Sequence, residues 1–307
     1  VAGATGAMGR PLIRQLLNAG YDVIGMTRSP HKASFLAEQG ALPEILDIFD
    51  ADAVRAVFLR TQPNVVIDVL TALPKTLTRE SMIAAAALDD RTRRVGGTNL
   101  QAAAQSVGVH RYILQSSAFW YAPGIGLADE STAFALEASP AIASGTRMYA
   151  DLEQRVLSAN SLEGIALRYG FFYGSETWYA SNGAIANQVR KQEFPIVGDG
   201  QGVWSWVHIE DAAAATVAAV EQGKAGAYNI VDDRPLEQRV WLPAYAGWLG
   251  ANPPQRVSVE DTLQTQGADA VYYATQLRGA SNTKAKRELG FQPRSLEWLT
   301  TAISSAR

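Results

Sequence analysis

The 307-residue chain contains no cysteine, so it has no disulfide, no thiolate nucleophile and no cysteine-ligated metal. That absence is compatible with any compartment. Histidine is nearly as scarce. His31, His110 and His208 are scattered without ligand spacing, no carboxylate cluster stands beside them, and no metal site is expected. His208, within an apolar run, reads as a structural histidine. Charge is sparse and balanced, with 27 Lys and Arg against 30 Asp and Glu, a net charge of −3. Without a basic stripe or a polybasic run, neither nucleic acid nor a membrane surface is an expected partner. No apolar stretch is long enough to span a bilayer and no leader-like segment is visible, so a cytoplasmic protein is expected. Repeats and low-complexity segments are also missing. What remains is 47% hydrophobic and long enough for one large domain or two closely joined ones.

The most informative segment is the first. Val1-Ala2-Gly3-Ala4-Thr5-Gly6-Ala7-Met8-Gly9 is the end of a strand running into a Gly-x-x-Gly-x-x-Gly turn, and an apolar-periodic helix begins at Pro11. The first strand is expected to begin before Val1. Such a unit aims several backbone N–H groups and a helix N-terminus at one point, a ready site for the pyrophosphate of a dinucleotide. Gly3 permits the tight turn, Gly6 lets the backbone approach the phosphates, and Gly9 lets helix and strand pack closely.

Beyond the turn, short apolar runs alternate with helical patterns in the manner of βαβ units. Strands are predicted at 21–27, 44–48, 64–70, 111–117 and 164–168, with helices at 30–39, 51–59, 96–107 and 148–158 between them. The pattern loosens after Tyr169, where two more strands are predicted near 203–208 and 226–231. The expected fold is α/β, a doubly wound Rossmann sheet of order 3-2-1-4-5-6 over residues 1–170 together with those two strands. Residues 171–200 and 232–307 are expected to form a smaller C-terminal substrate cap over the strand carboxyl ends.

Several motifs in this order resemble the extended short-chain dehydrogenase/reductase superfamily, also described as the NAD-dependent epimerase/dehydratase family. They are Ala4-Thr5-Gly6-Ala7-Met8-Gly9, Ile45-Leu46-Asp47-Ile48, Val95-Gly96-Gly97-Thr98-Asn99-Leu100, Gln115-Ser116-Ser117-Ala118-Phe119-Trp120-Tyr121, Leu167-Arg168-Tyr169-Gly170 and Val207-His208-Ile209-Glu210-Asp211. The resemblance covers nearly the whole chain. It implies that Gly3, Gly6, Met8 and Gly9 lie at the pyrophosphate, Asp47 and Ile48 at the adenine, Leu70 and Thr71 along the ribose, and that Tyr169 is a further cofactor contact.

The choice of cofactor can be argued from charge. Sites that prefer NAD usually carry an acid after the second strand to accept the ribose 2′-OH. Here that strand runs into Thr27-Arg28-Ser29-Pro30-His31-Lys32, with no acid. Arg28 can pair with a 2′-phosphate and Lys32 adds charge nearby, so NADP(H) is the expected cofactor.

The resemblance breaks at the chemistry. The family uses a Tyr-x-x-x-Lys pair beside a Ser or Thr, the ammonium lowering the tyrosine pKa. Ser117 matches the serine. No tyrosine in the chain has a lysine four residues on. The corresponding helix carries Tyr149, with Glu153 at the lysine spacing. If Glu153 instead matches the family's downstream glutamate, Tyr149 itself stands at the lysine position, and the sequence leaves both registers open. Tyr149 is therefore a candidate proton donor or a pocket-wall aromatic, with Tyr169 and Tyr173 as neighbouring alternatives. The family's helper asparagine is Arg94 here, within Arg91-Thr92-Arg93-Arg94, which reads equally as a solvated helix face. Two positions that contact the substrate diphosphate in sugar-nucleotide members are Phe171 and Trp204. With Trp120, Tyr121, Tyr173, Trp178 and Tyr179 nearby, they predict a flat, apolar pocket, some of these rings being core. The expected function is an NADP(H)-dependent oxidoreductase acting on a carbonyl or alcohol of an apolar or aromatic small molecule, with Ser117 and Tyr149 as catalytic candidates. A non-sugar epimerase or isomerase and a non-catalytic redox sensor are the alternatives, and a homodimer is the candidate assembly.

Overall fold

The computed structural model describes residues 1–299. Its centre is one parallel sheet. Ala2 bridges Met26 on one side and Asp68 on the other, each in parallel. Ile24–Thr27 pairs outward with Leu42–Ile45. On the other side Val65–Asp68 pairs with Arg111–Ser117, then Glu163–Tyr169, then Gly226–Ile230. In chain order this is the expected 3-2-1-4-5-6 arrangement with a seventh strand added at the far edge. The direction of winding reverses between Ala2 and Val65–Asp68, and ligand crevices open at such a switch point.

The strands are apolar on both faces because both faces are covered. Alternation along Arg111–Ser117 sends Ile113 into one core with Leu12, Leu16, Leu167 and Tyr228. Tyr112 and Leu114 go into the other with Phe58, Leu100, Leu152 and Val156. Helix Gly9–Asn18 lies on the first face against Ile209–Gln222, tied to it by Arg14 and Gln15, which both donate to Glu210. Helices Ala51–Thr61, Gly97–Ser106 and Pro140–Leu157 cover the second.

Several boundaries differ from the sequence reading. The third strand spans Leu42–Ile45, with Pro43 inside it rather than at its entrance. It is the edge strand, where a missing N–H leaves no ladder bond unmade. The helix predicted over 148–158 begins eight residues earlier, at Pro140, which serves as its first residue. The helix predicted at 96–107 is the last part of a longer run, comprising Arg79–Arg91, a wider π turn over Thr92–Gly96, and Gly97–Ser106. Its first part escaped the sequence reading because that segment is alanine-rich and buries only Asp89, so it shows no apolar stripe.

The two later strands part company. Gly226–Ile230 joins the main sheet, whereas Trp206–His208 pairs with Phe171–Tyr173 outside it. Val203–Trp204 pairs antiparallel with Leu236–Glu237. Around them an aromatic core of Trp204, Trp206, Trp241, Tyr245 and Trp298 holds the cap together. Helix Thr283–Leu289, expected in the cap, instead packs Ala285 and Leu289 into the core of the main sheet. Among the described residues no helix is long and apolar enough to cross a membrane.

Candidate active site

The glycine turn is built as a phosphate cradle. Gly3 has φ +88°, and a Cβ there would lie 2.5 Å from the Val69 carbonyl oxygen. A Cβ on Gly9 would lie 2.2 Å from the Gly3 carbonyl oxygen, so helix and strand meet only because neither residue has a side chain. Helix Gly9–Asn18 has no side-chain cap and no acid in its first turn, leaving its N–H groups and positive dipole end for an anion. Met8 is buried beneath the turn. These features fit a dinucleotide, whose pyrophosphate they would receive.

The remaining cofactor candidates gather around this turn. The Ala2–Met26 pairing places Arg28 alongside Ala4 at the neighbouring strand end, and Arg28 is exposed with no ion pair or hydrogen bond among the described residues. Arg10, which the sequence reading did not single out, donates to the Thr5 carbonyl and lies over the Phe35 ring. Ile48 and Leu70 both touch the space above Gly96, and Asn99 donates to the Ile48 carbonyl. Asp47 is exposed and accepts from the Phe49 N–H. Leu70 N–H donates to Asp68, and Thr71 is exposed beside it.

Tyr169 does not join them. Its side chain lies in the core against helix Ile209–Gln222, its hydroxyl 2.6 Å from that of Thr216, and burial pushes its pKa far up. Its hydroxyl is committed to that core contact and is not available as a proton carrier. Tyr173 is also buried, edge-on to His208 and Trp298, with its pKa raised by burial and by Asp232.

At the carboxyl end of Arg111–Ser117, Ser117 is buried and its Oγ has no hydrogen-bond partner. Next to it begins an aromatic wall. Phe119 stacks on Phe171 with 4.3 Å between ring centroids, and Phe171 lies 4.3 Å from Trp204. Trp120 meets Phe119 edge-on and lies 5.8 Å from Tyr149. The two positions that hold diphosphate in sugar-nucleotide members are thus ring against ring, as the sequence suggested.

Tyr149 is buried and its hydroxyl makes no hydrogen bond among the described residues. Desolvation raises its pKa, and the Arg93 guanidinium, 5.2 Å from the ring centre, offsets only part of that. Arg93 projects from the π turn, is 4% exposed and pairs with Asp89 at 2.8 Å. The same carboxylate accepts the Ala72 N–H at 2.6 Å, tying the π turn to the loop after Leu70. Arg94 pairs with Asp90 and Asp151 at the surface, as the solvated-face alternative for this segment expects.

Glu153 lies elsewhere. It forms a two-point ion pair with Arg168 at 2.8 and 2.7 Å and accepts from Ser116 Oγ at 2.5 Å. Arg168 in turn donates to the Tyr121 hydroxyl, which bonds to Asn229. This buried network is structural, and it favours the register in which Glu153 is the downstream glutamate and Tyr149 stands at the lysine position. Gly145 then occupies the tyrosine position, and a Cβ there would lie 2.7 Å from the Trp120 ring.

The fold and the turn define a doubly wound protein of the dinucleotide-binding kind. The pattern of the NAD dependent epimerase/dehydratase family matches residues 1–231, and the chain belongs to that family. A Streptomyces protein named 3-diazoavenalumate denitrifying reductase is 36% identical over 97% of this chain and 96% of its own length. The dTDP-glucose 4,6-dehydratase of Streptomyces venezuelae superposes with a TM-score of 0.73 at 20% identity, over 99% of this chain and 94% of that one. The UDP-glucose 4-epimerase of Thermus thermophilus, solved in complex with NAD, gives 0.70 at 19%, over 97% and 94%.

Proposed function

We propose that the protein is an NADP(H)-dependent reductase of planar aromatic small molecules whose reducible group needs no proton from the protein. The observation that carries this reading is the substitution at the tyrosine position. A serine hydroxyl waits unpartnered at the strand end, yet Gly145 and the Trp120 ring stand where an acid would be. The relative's name supports the class, since it is a reductase at 36% identity over nearly the whole chain.

The turn Gly3–Gly9 would hold the pyrophosphate, Arg28 with Lys32 the 2′-phosphate, Asp47 and Ile48 the adenine, and Leu70 and Thr71 the nicotinamide side. When bound, the nicotinamide supplies a hydride. Ser117 Oγ turns a lone pair toward the cationic reducible group, and the Phe119, Phe171 and Trp204 rings hold the substrate flat and exclude water. Tyr149, its pKa raised by burial, keeps its proton at neutral pH and serves as a hydrogen-bonding wall. A carbonyl needs both hydride and proton to become an alcohol. An arenediazonium group, of the diazo kind in the relative's name, does not. Its carbon–nitrogen bond breaks, N2 leaves, and the ring carbon ends with the hydrogen, so ArN2⁺ plus hydride balances ArH plus N2.

The test is NADPH oxidation and N2 release with arenediazonium salts, beside ketones, aldehydes and quinones, for the native protein and Ser117→Ala. Diazonium turnover that falls in the variant supports the reading. NADPH binding without turnover of any acceptor overturns it and favours the redox sensor.

A further inference from the structure

The glycine turn carries one more cation, Arg10, whose use rests on the NADP(H) reading of this site. Arg10 is exposed in the first turn of helix Gly9–Asn18. Its Nε donates to the Thr5 carbonyl at 3.4 Å, and its guanidinium lies over the Phe35 ring, 4.9 Å from the centre. Phe35 is itself held, packed from helix Pro30–Glu38 against the core of the sheet, and Leu36 beside it borders Gly25 together with Ala4. Nε and one face of the guanidinium are thus occupied, while the two Nη nitrogens have no partner among the described residues.

The neighbours are cations as well. The pairing that sets Arg28 alongside Ala4 places it one residue from Thr5, whose carbonyl holds Arg10. Lys32 lies in the first turn of helix Pro30–Glu38, three residues before Phe35. Among the described residues none of Arg10, Arg28 and Lys32 pairs with a carboxylate. Asp22 is the only acid between Val1 and Ala37, and it precedes strand Ile24–Thr27 at the end remote from the turn. Cations gathered at one rim without an acid repel one another, and a dianion between them removes that cost.

We infer that Arg10 is the fixed half of a two-sided clamp on the 2′-phosphate of NADP(H), with Arg28 as the other half. A phosphate monoester is largely a dianion at neutral pH and takes paired N–H bonds from a guanidinium fork. Arg28 gives up rotamer freedom to make its contact. Arg10, already seated on Phe35 and Thr5, gives up little, so its contact adds selectivity at small entropic cost.

Binding without turnover tests this. NADPH and NADH are titrated into the native protein and into Arg10→Leu, which keeps an apolar stem against Phe35. NADPH should bind the variant about tenfold more weakly, the scale of one hydrogen bond to a charged group, with NADH unchanged. The phosphorus NMR resonance of the 2′-phosphate in bound NADPH gives a second readout. Cations beside that group favour its dianion, so it should titrate at lower pH in the native complex than in free NADPH and move back up in Arg10→Leu. Equal NADPH binding by the two proteins, or an equal loss for NADH, overturns the role of Arg10 at the 2′-phosphate. A native protein that binds NADPH no more tightly than NADH overturns the underlying cofactor reading instead.

Discussion

Two residues allow chemistry and stability to be separated. Among the described residues Ser117 Oγ has no hydrogen-bond partner, so removing it orphans none of them. Ser117→Ala should unfold within about 0.5 kcal/mol of the native protein while turnover falls roughly 10- to 100-fold, the scale of one lost polar contact to a charged group. Thermal melting beside steady-state kinetics reads the two effects apart. Arg28 is exposed and has no partner among the described residues, which leaves its charge for a ligand. Arg28→Asp should cost NADP about 1–3 kcal/mol of affinity, the value of a charge-assisted hydrogen bond, and leave NAD nearly unaffected. Cofactor titration by fluorescence decides it, and equal losses for both cofactors would remove Arg28 from the 2′-phosphate.

Among the elements, helix Pro140–Leu157 has two duties. Its middle presents Tyr149 and the glycine that admits Trp120. One turn further, Glu153 fastens the helix to strand Glu163–Tyr169 through Arg168. Both partners of that pair are nearly inaccessible, with side chains 6% and 8% exposed. Glu153→Gln leaves a guanidinium buried without its counter-charge. It should destabilise the fold by about 3–5 kcal/mol, measured by denaturant unfolding. A loss below about 1 kcal/mol, typical of surface pairs, would show that the pair is hydrated. The π turn at Thr92–Gly96 works similarly, since the widened turn carries the buried Arg93 whose counter-ion Asp89 anchors the loop after Leu70.

For the molecule as a whole, the joint between sheet and cap contains a titratable weak point. Asp232 follows the edge strand Gly226–Ile230, and its N–H donates to the Trp206 carbonyl. Its Oδ1 accepts from Arg234 N–H, Oδ2 has no partner, and burial lifts its pKa from the usual carboxylate value to about 7. An acid whose folded pKa is raised binds its proton more tightly when folded. Its contribution is therefore fully present below the unfolded value near 4 and is lost as pH rises through 7. Stability should decline across that window, and Asp232→Asn should flatten the decline and unfold at higher temperature than the native protein at pH 8. Melting curves from pH 5 to 8 check this. Parallel curves for the two proteins would mean that Asp232 is ionised in the fold.

The sequence alone determined the sheet order, the glycine turn and the absence of a tyrosine–lysine pair. These are written in neighbouring residues, as apolar alternation, glycine spacing and a missing residue type four positions on. It also marked Phe171 and Trp204 as ring-forming replacements for polar positions. Only the tertiary structure decided what fills the gap. Trp120 and Gly145 lie 25 positions apart, and a glycine gives no signal until its occupant is known. Arg93 was indistinguishable from Arg91 and Arg94 until the π turn rotated it inward. The pairing of Trp206–His208 outside the main sheet escaped for a related reason. Facing and pairing depend on which surfaces the rest of the chain brings up against a strand, and that is a property of packing rather than of local pattern.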